Sequence, residues 1–213
     1  MPHGQEGLFL VVEGPEGAGK SSLVRWLAGR LIADGRQVVS VREPGGTPVA
    51  EAARKVVLTF PHALPAASEL FLMLAARADL TEQVIRPALA AGQVVVADRF
   101  DLSTFAYQVA GRGLPRGDVE AANRLATGGL VPHVTLVLDV PVEVGRARQQ
   151  RARKVRDRFE REGAAFHKRV LGEYREARGP GVIHVDASQP KEAVQQAAWR
   201  EVVSAAALTH RGI

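Results

Sequence analysis

Gly14-Pro15-Glu16-Gly17-Ala18-Gly19-Lys20-Ser21 is the stretch that decides how the chain reads. It satisfies GxxxxGK[ST], the phosphate-binding P-loop, at every specified position. Its flanks agree: the apolar run Leu8–Val12 precedes it, and the spacing predicts an amphipathic helix over Leu23–Ala33. Chemistry explains the pattern. Glycines let backbone N–H groups turn inward onto phosphate oxygens, and a helix N-terminus adds the positive end of its dipole. Lys20 is placed to reach the β- and γ-phosphates, and the Ser21 hydroxyl to ligate Mg²⁺. All eight residues are therefore candidates for binding a nucleoside triphosphate.

Working outward, five short apolar runs read as buried parallel strands: Leu8–Glu13, Val38–Arg42, Val94–Asp98, Val134–Asp139 and Val182–Asp186. Segments rich in Ala, Leu, Glu and Arg separate them and read as helices. This alternation predicts an α/β fold of the P-loop NTPase type, a five-stranded parallel sheet with helices on both faces. Each run ends in a polar residue, Glu13, Arg42, Asp98, Asp139 or Asp186. That strand edge is where open α/β sheets bind ligands. A long helix is predicted from about 66 to 91, with a kink or break near Pro87. Asp98 has the position of a Walker-B-type carboxylate, acting on Mg²⁺ directly or through water; the competing reading is a helix N-cap. Arg99 beside it favours the first, since a carboxylate and a guanidinium at one strand end bind metal and phosphate together.

The 213 residues fit one domain, and no internal repeat or linker divides them. No apolar run approaches the roughly 20 residues that span a bilayer. Met1–Gly7 lacks a basic stretch and a secretory core, and the chain has no cysteine, so a cytoplasmic setting is expected. The six histidines show no metal-ligand spacing. The net charge of +5 calls for an anionic partner, nucleotide or nucleic acid. Basic charge concentrates at Arg146, Arg148, Arg151, Arg153, Lys154, Arg156, Arg158 and Arg161, opposed only by Asp157 and Glu160. The segment follows a helix opened by Pro141 and is expected to form a hairpin of helices; the plain reading of such a run is a solvated helix face.

Further motifs narrow the P-loop class. Arg42-Glu43-Pro44-Gly45-Gly46-Thr47 ends the second strand, and Leu72-Met73-Leu74-Ala75-Ala76-Arg77 lies in the long helix. Asp98-Arg99-Phe100-Asp101-Leu102-Ser103-Thr104-Phe105-Ala106-Tyr107-Gln108 follows the third strand, then Gly111-Arg112-Gly113, Ala126-Thr127-Gly128-Gly129-Leu130 and Asp157-Arg158-Phe159-Glu160. In this order and spacing, from about Leu8 to Ala198, the chain closely resembles the bacterial thymidylate kinases.

The resemblance implies transfer of the ATP γ-phosphate to dTMP with Mg²⁺, by a homodimer. Each subunit would carry a core, a monophosphate-binding region at about 42–77 and a lid at about 146–162. Arg99 and the Arg42–Thr47 segment, with Glu43 and Pro44 in it, would hold the dTMP phosphate. Arg77 would bond the thymine carbonyl edge, and Ser103, Thr104, Tyr107 and Gln108 would stand near base and sugar, with Tyr107 crowding the 2′ position. Ser21, Asp98 and Glu16 would lie on the metal side. Many members have a thymine-stacking phenylalanine four residues before this arginine; here it is Met73, which is polarisable and can also pack on a ring. The P-loop interior carries Glu16 and no basic residue, so the resemblance implies that catalytic cations pass to the lid, where Arg148, Arg151, Arg153, Arg156 and Arg158 are all in range and Arg153 and Arg158 are preferred; Lys20 and Arg99 complete the catalytic set. The partners are then ATP, dTMP and a second copy, with neither nucleic acid nor membrane. Two alternatives stand beside this: a kinase of the same fold for another small acceptor, and an ATP-switched module that binds nucleic acid through 146–161.

Overall fold

The computed structural model describes residues 7–151 and 157–209. All five apolar runs are strands with the predicted bounds: β1 Leu8–Glu13, β2 Val38–Arg42, β3 Val94–Asp98, β4 Val134–Asp139 and β5 Val182–Asp186. They pair in parallel in the order β2-β3-β1-β4-β5. Every residue of the central strand β1 is buried, because helices cover both faces. Alternation along it splits the core in two. Leu8, Leu10 and Val12 pack with Leu23, Leu27 and Leu31 on one face. Phe9 and Val11 pack with Leu80, Ile85 and Ala88 on the other.

The helices are α1 Lys20–Ala33, α2 Pro48–Thr59, α3 Ala66–Leu80, α4 Arg86–Ala90, α5 Asp101–Thr104, α6 Arg116–Thr127, α7 Val142–Arg151, α8 Ala164–Glu176 and α9 Lys191–Thr209. Two differ from the sequence reading in an instructive way. Helix α1 starts three residues before its apolar stripe, because its first turn, Lys20-Ser21-Ser22, faces the ligand edge and carries no apolar side chain. The break in the long helix comes before Pro87, as a π-helical turn over Thr81–Ile85. Proline lacks an N–H and crowds the carbonyl four residues back, and the wider π turn absorbs both defects. A second π-helical stretch, Phe105–Gly111, continues α5 and carries Tyr107 and Gln108 on its buried side.

Strand register gathers the polar ends. Asp98 lies opposite Val12 on one side and Arg42 on the other, so Glu13, Arg42 and Asp98 share one corner of the sheet edge. The P-loop also packs against the start of α7. Gly17 has φ +76°, and a Cβ there would stand 2.2 Å from the Gly145 carbonyl oxygen. Gly17→Ala is therefore expected to cost at least about 1–3 kcal/mol, the backbone-strain part alone, read as a lower urea midpoint at unchanged m-value; an unshifted midpoint would show that the loop takes a side chain there without strain and without meeting α7.

Candidate active site

The P-loop end of the site is built by β1 and α1. Gly19, with φ 99°, caps α1 in the left-handed region that glycine tolerates. Lys20 is buried, and its ammonium donates to the carbonyls of Gly14 at 3.0 Å and Pro15 at 2.9 Å. Burial pulls its pKa below the ordinary lysine value and Arg99 adds to that, while Glu16 and Asp98 oppose it. Ser21 Oγ donates to Asp98 Oδ2 at 2.5 Å, so a hydroxyl and a carboxylate stand together where the phosphates of a triphosphate would lie. That is a hard-oxygen pair suited to Mg²⁺, which characteristically takes one or two protein oxygens and completes its shell with phosphates and water. Among the described residues no three acidic or histidine side chains converge as a metal cluster. Beside the loop, a pocket of about 230 Å³ lies between Gly19 and Ser22, Arg148 of α7, and the Ala187–Gln195 segment. Arg148 is fixed there by donating to Ala187 O at 2.9 Å.

Arg99 joins this end to the next. It follows β3 with φ +76°, the one non-glycine residue with positive φ among the described residues. Its guanidinium donates to Ser103 Oγ at 3.1 Å, Tyr174 OH at 2.9 Å and Tyr107 OH at 3.1 Å, and pairs with the Glu16 carboxylate. It also lies over the Tyr107 ring. The Tyr107 hydroxyl donates to Glu16, and burial pushes its pKa well above the usual phenol value, so it remains a donor. Glu13 anchors the group from behind. One oxygen accepts from the amides of Phe100 and Ser103, the other from the hydroxyls of Ser103 and Tyr174. Burial raises the Glu13 carboxyl above its ordinary range, with Arg99 and these hydrogen bonds pulling the other way.

Beyond Arg99 the cleft opens to about 470 Å³, reaching from Lys20 and Ser21 to Arg42, Glu43, Pro44, Arg54, Met73, Ser103, Tyr107 and Phe159. Thr47 caps α2 by accepting from Ala50 N, and Pro48 opens the first turn. Glu51 and Arg54 then lie one turn apart and reach back over the 42–46 loop. Glu51 accepts from Gly46 N and Arg42, and Arg54 donates to Pro44 O at 2.7 Å. Burial and the neighbouring Arg42 lower the pKa of Arg54, marking a spot where positive charge is crowded.

Several residues expected at the acceptor stand behind its wall. Arg77 is only 1% exposed. Its donors go to Glu43 at 2.8 Å, Thr104 Oγ1 and Asn123 Oδ1 at 2.6 Å each, and Phe100 O at 2.8 Å. Thr104 is thus its acceptor, and Gln108 is buried with its amide on Glu69. None of the three lines the cleft, whereas Glu43, Pro44, Met73, Ser103 and Tyr107 do. Of the two preferred lid arginines, Arg153 lies outside the described residues. Arg158 donates to Val57 O and Glu69, on the α2–α3 side and not on the P-loop. Glu16, expected near the metal, is paired with Arg99 and Tyr107. Sequence reasoning missed Tyr174, Asn123 and Arg54. Only Arg54 left a signal, since the Thr47-Pro48 helix start aims its face back at the Arg42–Thr47 loop.

A P-loop at the carboxyl edge of a 2-3-1-4-5 parallel sheet, with a second cationic compartment across one arginine, defines a P-loop phosphotransferase-type site. The thymidylate kinase family model matches residues 12–198. Proteins named thymidylate kinase from Pseudomonas fluorescens and Pseudomonas putida are each 50% identical over 194 residues, covering 89% of this chain and 92% of theirs. One from Pseudomonas entomophila is 49% identical over 195 residues, covering 90% and 92%. The chain belongs to the thymidylate kinase family.

The buried and exposed ion pairs of the site make contrasting predictions. Arg77→Met leaves Glu43 buried without its cation and is expected to cost about 3–5 kcal/mol in urea unfolding. Arg42→Ala breaks a pair whose side chains are 50% and 45% exposed, and should cost under about 1 kcal/mol. Equal losses would contradict this division.

Proposed function

We propose that the chain transfers the γ-phosphoryl group of ATP to dTMP, giving ADP and dTDP. The observation that carries this reading is one continuous cleft with two cationic ends. Lys20 and the Ser21–Asp98 pair stand at one, Arg42 and Arg54 at the other, and Arg99 lies between them. The second end is walled by Met73, Tyr107 and Phe159, an apolar and aromatic surface suited to a base.

In this reading the P-loop amides and Lys20 hold the ATP phosphates, and Arg148 flanks the adenosine side. Ser21 and Asp98 would hold a magnesium ion, whose contribution is to neutralise charge on the β- and γ-phosphates. Arg42 and Arg54 hold the dTMP phosphate, with Met73 packed on the thymine ring and Glu43 and Pro44 shaping the floor. An oxygen of the dTMP phosphate attacks the γ-phosphorus as the bond to the ADP oxygen breaks, and Arg99 lies where the two phosphates meet. Glu16 and Tyr107 orient that guanidinium. Arg77, with Thr104 and Asn123 as partners, holds Glu43 in place. No nucleophile or general-base histidine is required, because alignment and cations do most of the work. The lid supplies the remaining cation, and Arg153 is the residue proposed for it. A homodimer is also proposed. Val49, Phe71 and Leu125 project exposed apolar side chains from α2, α3 and α6, of which α3 packs against each of the other two, and Leu125 is 86% exposed. Among the described residues no helix is long and apolar enough to cross a membrane.

With ATP as donor, dTMP should give the highest kcat/KM in a panel with dUMP, UMP, CMP and AMP; faster turnover of UMP or AMP would overturn the assignment. Lys20→Ala should abolish turnover while the circular dichroism spectrum is retained. Arg153→Ala should lower kcat by about 10³-fold or more, against little change in either KM.

A further inference from the structure

The cleft wall depends on a carboxylate that does not face the cleft. Glu69, in the first turn of α3, is fully buried. It accepts from Gln108 Nε2 at 2.8 Å, from Arg112 Nε at 3.1 and 3.2 Å and from Arg158 Nη2 at 2.5 Å. Arg112 pairs in turn with Glu162 at 2.5 Å. Arg158 also donates to Val57 O at 2.8 Å, and its backbone amide to Leu58 O. One side chain therefore ties together the start of α3, the end of the Phe105–Gly111 π stretch, the end of α2 and the 157–162 stem of the lid.

The two guanidiniums that Glu69 holds both lie against Phe159, at 4.9 Å for Arg158 and 5.7 Å for Arg112. Phe159 meets the Tyr107 ring edge-to-face at 5.3 Å and 80°. Met73 lies one helical turn after Glu69 on the same side of α3. Of the base-facing wall, Phe159 is thus braced through one buried charge and meets Tyr107 directly, while Met73 shares the helix that carries that charge. Buried ion pairs seldom add net stability over an apolar substitute, but removing one partner leaves the others desolvated and unpaired. With two arginines against a single carboxylate, neutralising that carboxylate loosens both braces of Phe159 together, leaving Arg112 only Glu162 and Arg158 only the Val57 carbonyl.

We propose that Glu69 is a positioning residue for the acceptor half of the cleft: through Arg112 and Arg158 it sets Phe159 against Tyr107 and so tunes the affinity and sugar selectivity for the monophosphate. The proposal rests on the dTMP kinase reading for its kinetic consequences and on geometry alone for the clamp itself. The clamp reaches the P-loop only at one remove, through the Tyr107 hydroxyl that donates to Glu16, so its loss falls mainly on the acceptor side.

The test uses the full chain with Glu69→Gln, which keeps size and one acceptor but removes the charge. Phe159→Leu is the second variant; it leaves the Glu69 ion pairs in place and removes only the ring they brace. Both should raise the KM for dTMP by about tenfold, within the range of coupled buried neighbours. The KM for ATP should stay within about twofold, and the preference for dTMP over its 2′-hydroxy analogue should narrow. Hydrogen exchange on Glu69→Gln should accelerate at 157–162 and 105–111 and stay unchanged at 14–21. If Glu69→Gln does not fold, Arg112→Gln, which leaves Glu69 paired with Arg158 and removes one brace of Phe159, decides through the same kinetic split. Folded variants with unchanged dTMP KM and unchanged exchange at 157–162 would overturn the proposal, as would parallel rises in both KM values. If the wild-type chain leaves dTMP unphosphorylated, the functional reading falls, and the exchange pattern still decides whether the clamp exists.

Discussion

The Arg99 guanidinium, aimed by a left-handed backbone at the end of β3, is the constraint around which the site is arranged. The conformation costs about 1–3 kcal/mol for a non-glycine residue, and the surroundings hold it from both sides. Arg99 N donates to Val12 O at 3.0 Å, extending the β1–β3 ladder past the strand end. Phe100 N then turns onto Glu13 at 2.8 Å. Between these two bonds the backbone has little choice, and the side chain is directed across the P-loop. There it meets Glu16 on one side and Ser103, Tyr107 and Tyr174 on the other. Donor and acceptor ends share a single cation, so a change at Arg99 itself is felt at both.

Two layers of cations follow from this arrangement, and magnitudes separate their roles. Arg77, Arg99, Arg112 and Arg158 belong to the buried or largely buried layer, each paired with a carboxylate that is itself wholly or mostly out of solvent. Breaking such pairs is expensive, so they specify geometry. Arg42 and Arg54 form the outer layer; their links, to Glu51 and to the Pro44 carbonyl, are cheap to open, and they remain available to an anion. The family's phosphoryl chemistry needs both kinds: rigid cations fix where phosphate oxygens go, and yielding ones admit and release the substrate.

The sheet was legible in the sequence down to strand ends, because a parallel strand buried on both faces is a continuous apolar run and its polar terminus marks the ligand edge. The P-loop was legible because its geometry is local. The α1 start and the π turn before Pro87 escaped, since a ligand-facing first turn breaks the apolar period and proline reports strain without saying where it is relieved. Arg77, Thr104 and Gln108 stood out by motif, but a motif carries no direction, and a full set of partners from the loops after β2 and β3, from α5 and from α6 draws the Arg77 head inward. Tyr174 reaches Glu13 across 161 residues and Glu69 reaches Arg158 across 89. Those contacts are products of topology, and no local pattern announces them. Met73 in the cleft wall and Glu16 on Arg99 follow from the packing around them.

The central claim is that donor and acceptor occupy two ends of one cleft spanned by Arg99. Titration calorimetry with a compound joining adenosine and thymidine 5′ to 5′ through a chain of phosphates tests it most directly. The account predicts one compound per chain, displaced by ATP alone and by dTMP alone, with binding sharply weakened in Arg99→Met. Displacement by only one of the two nucleotides, or full affinity without Arg99, would contradict it.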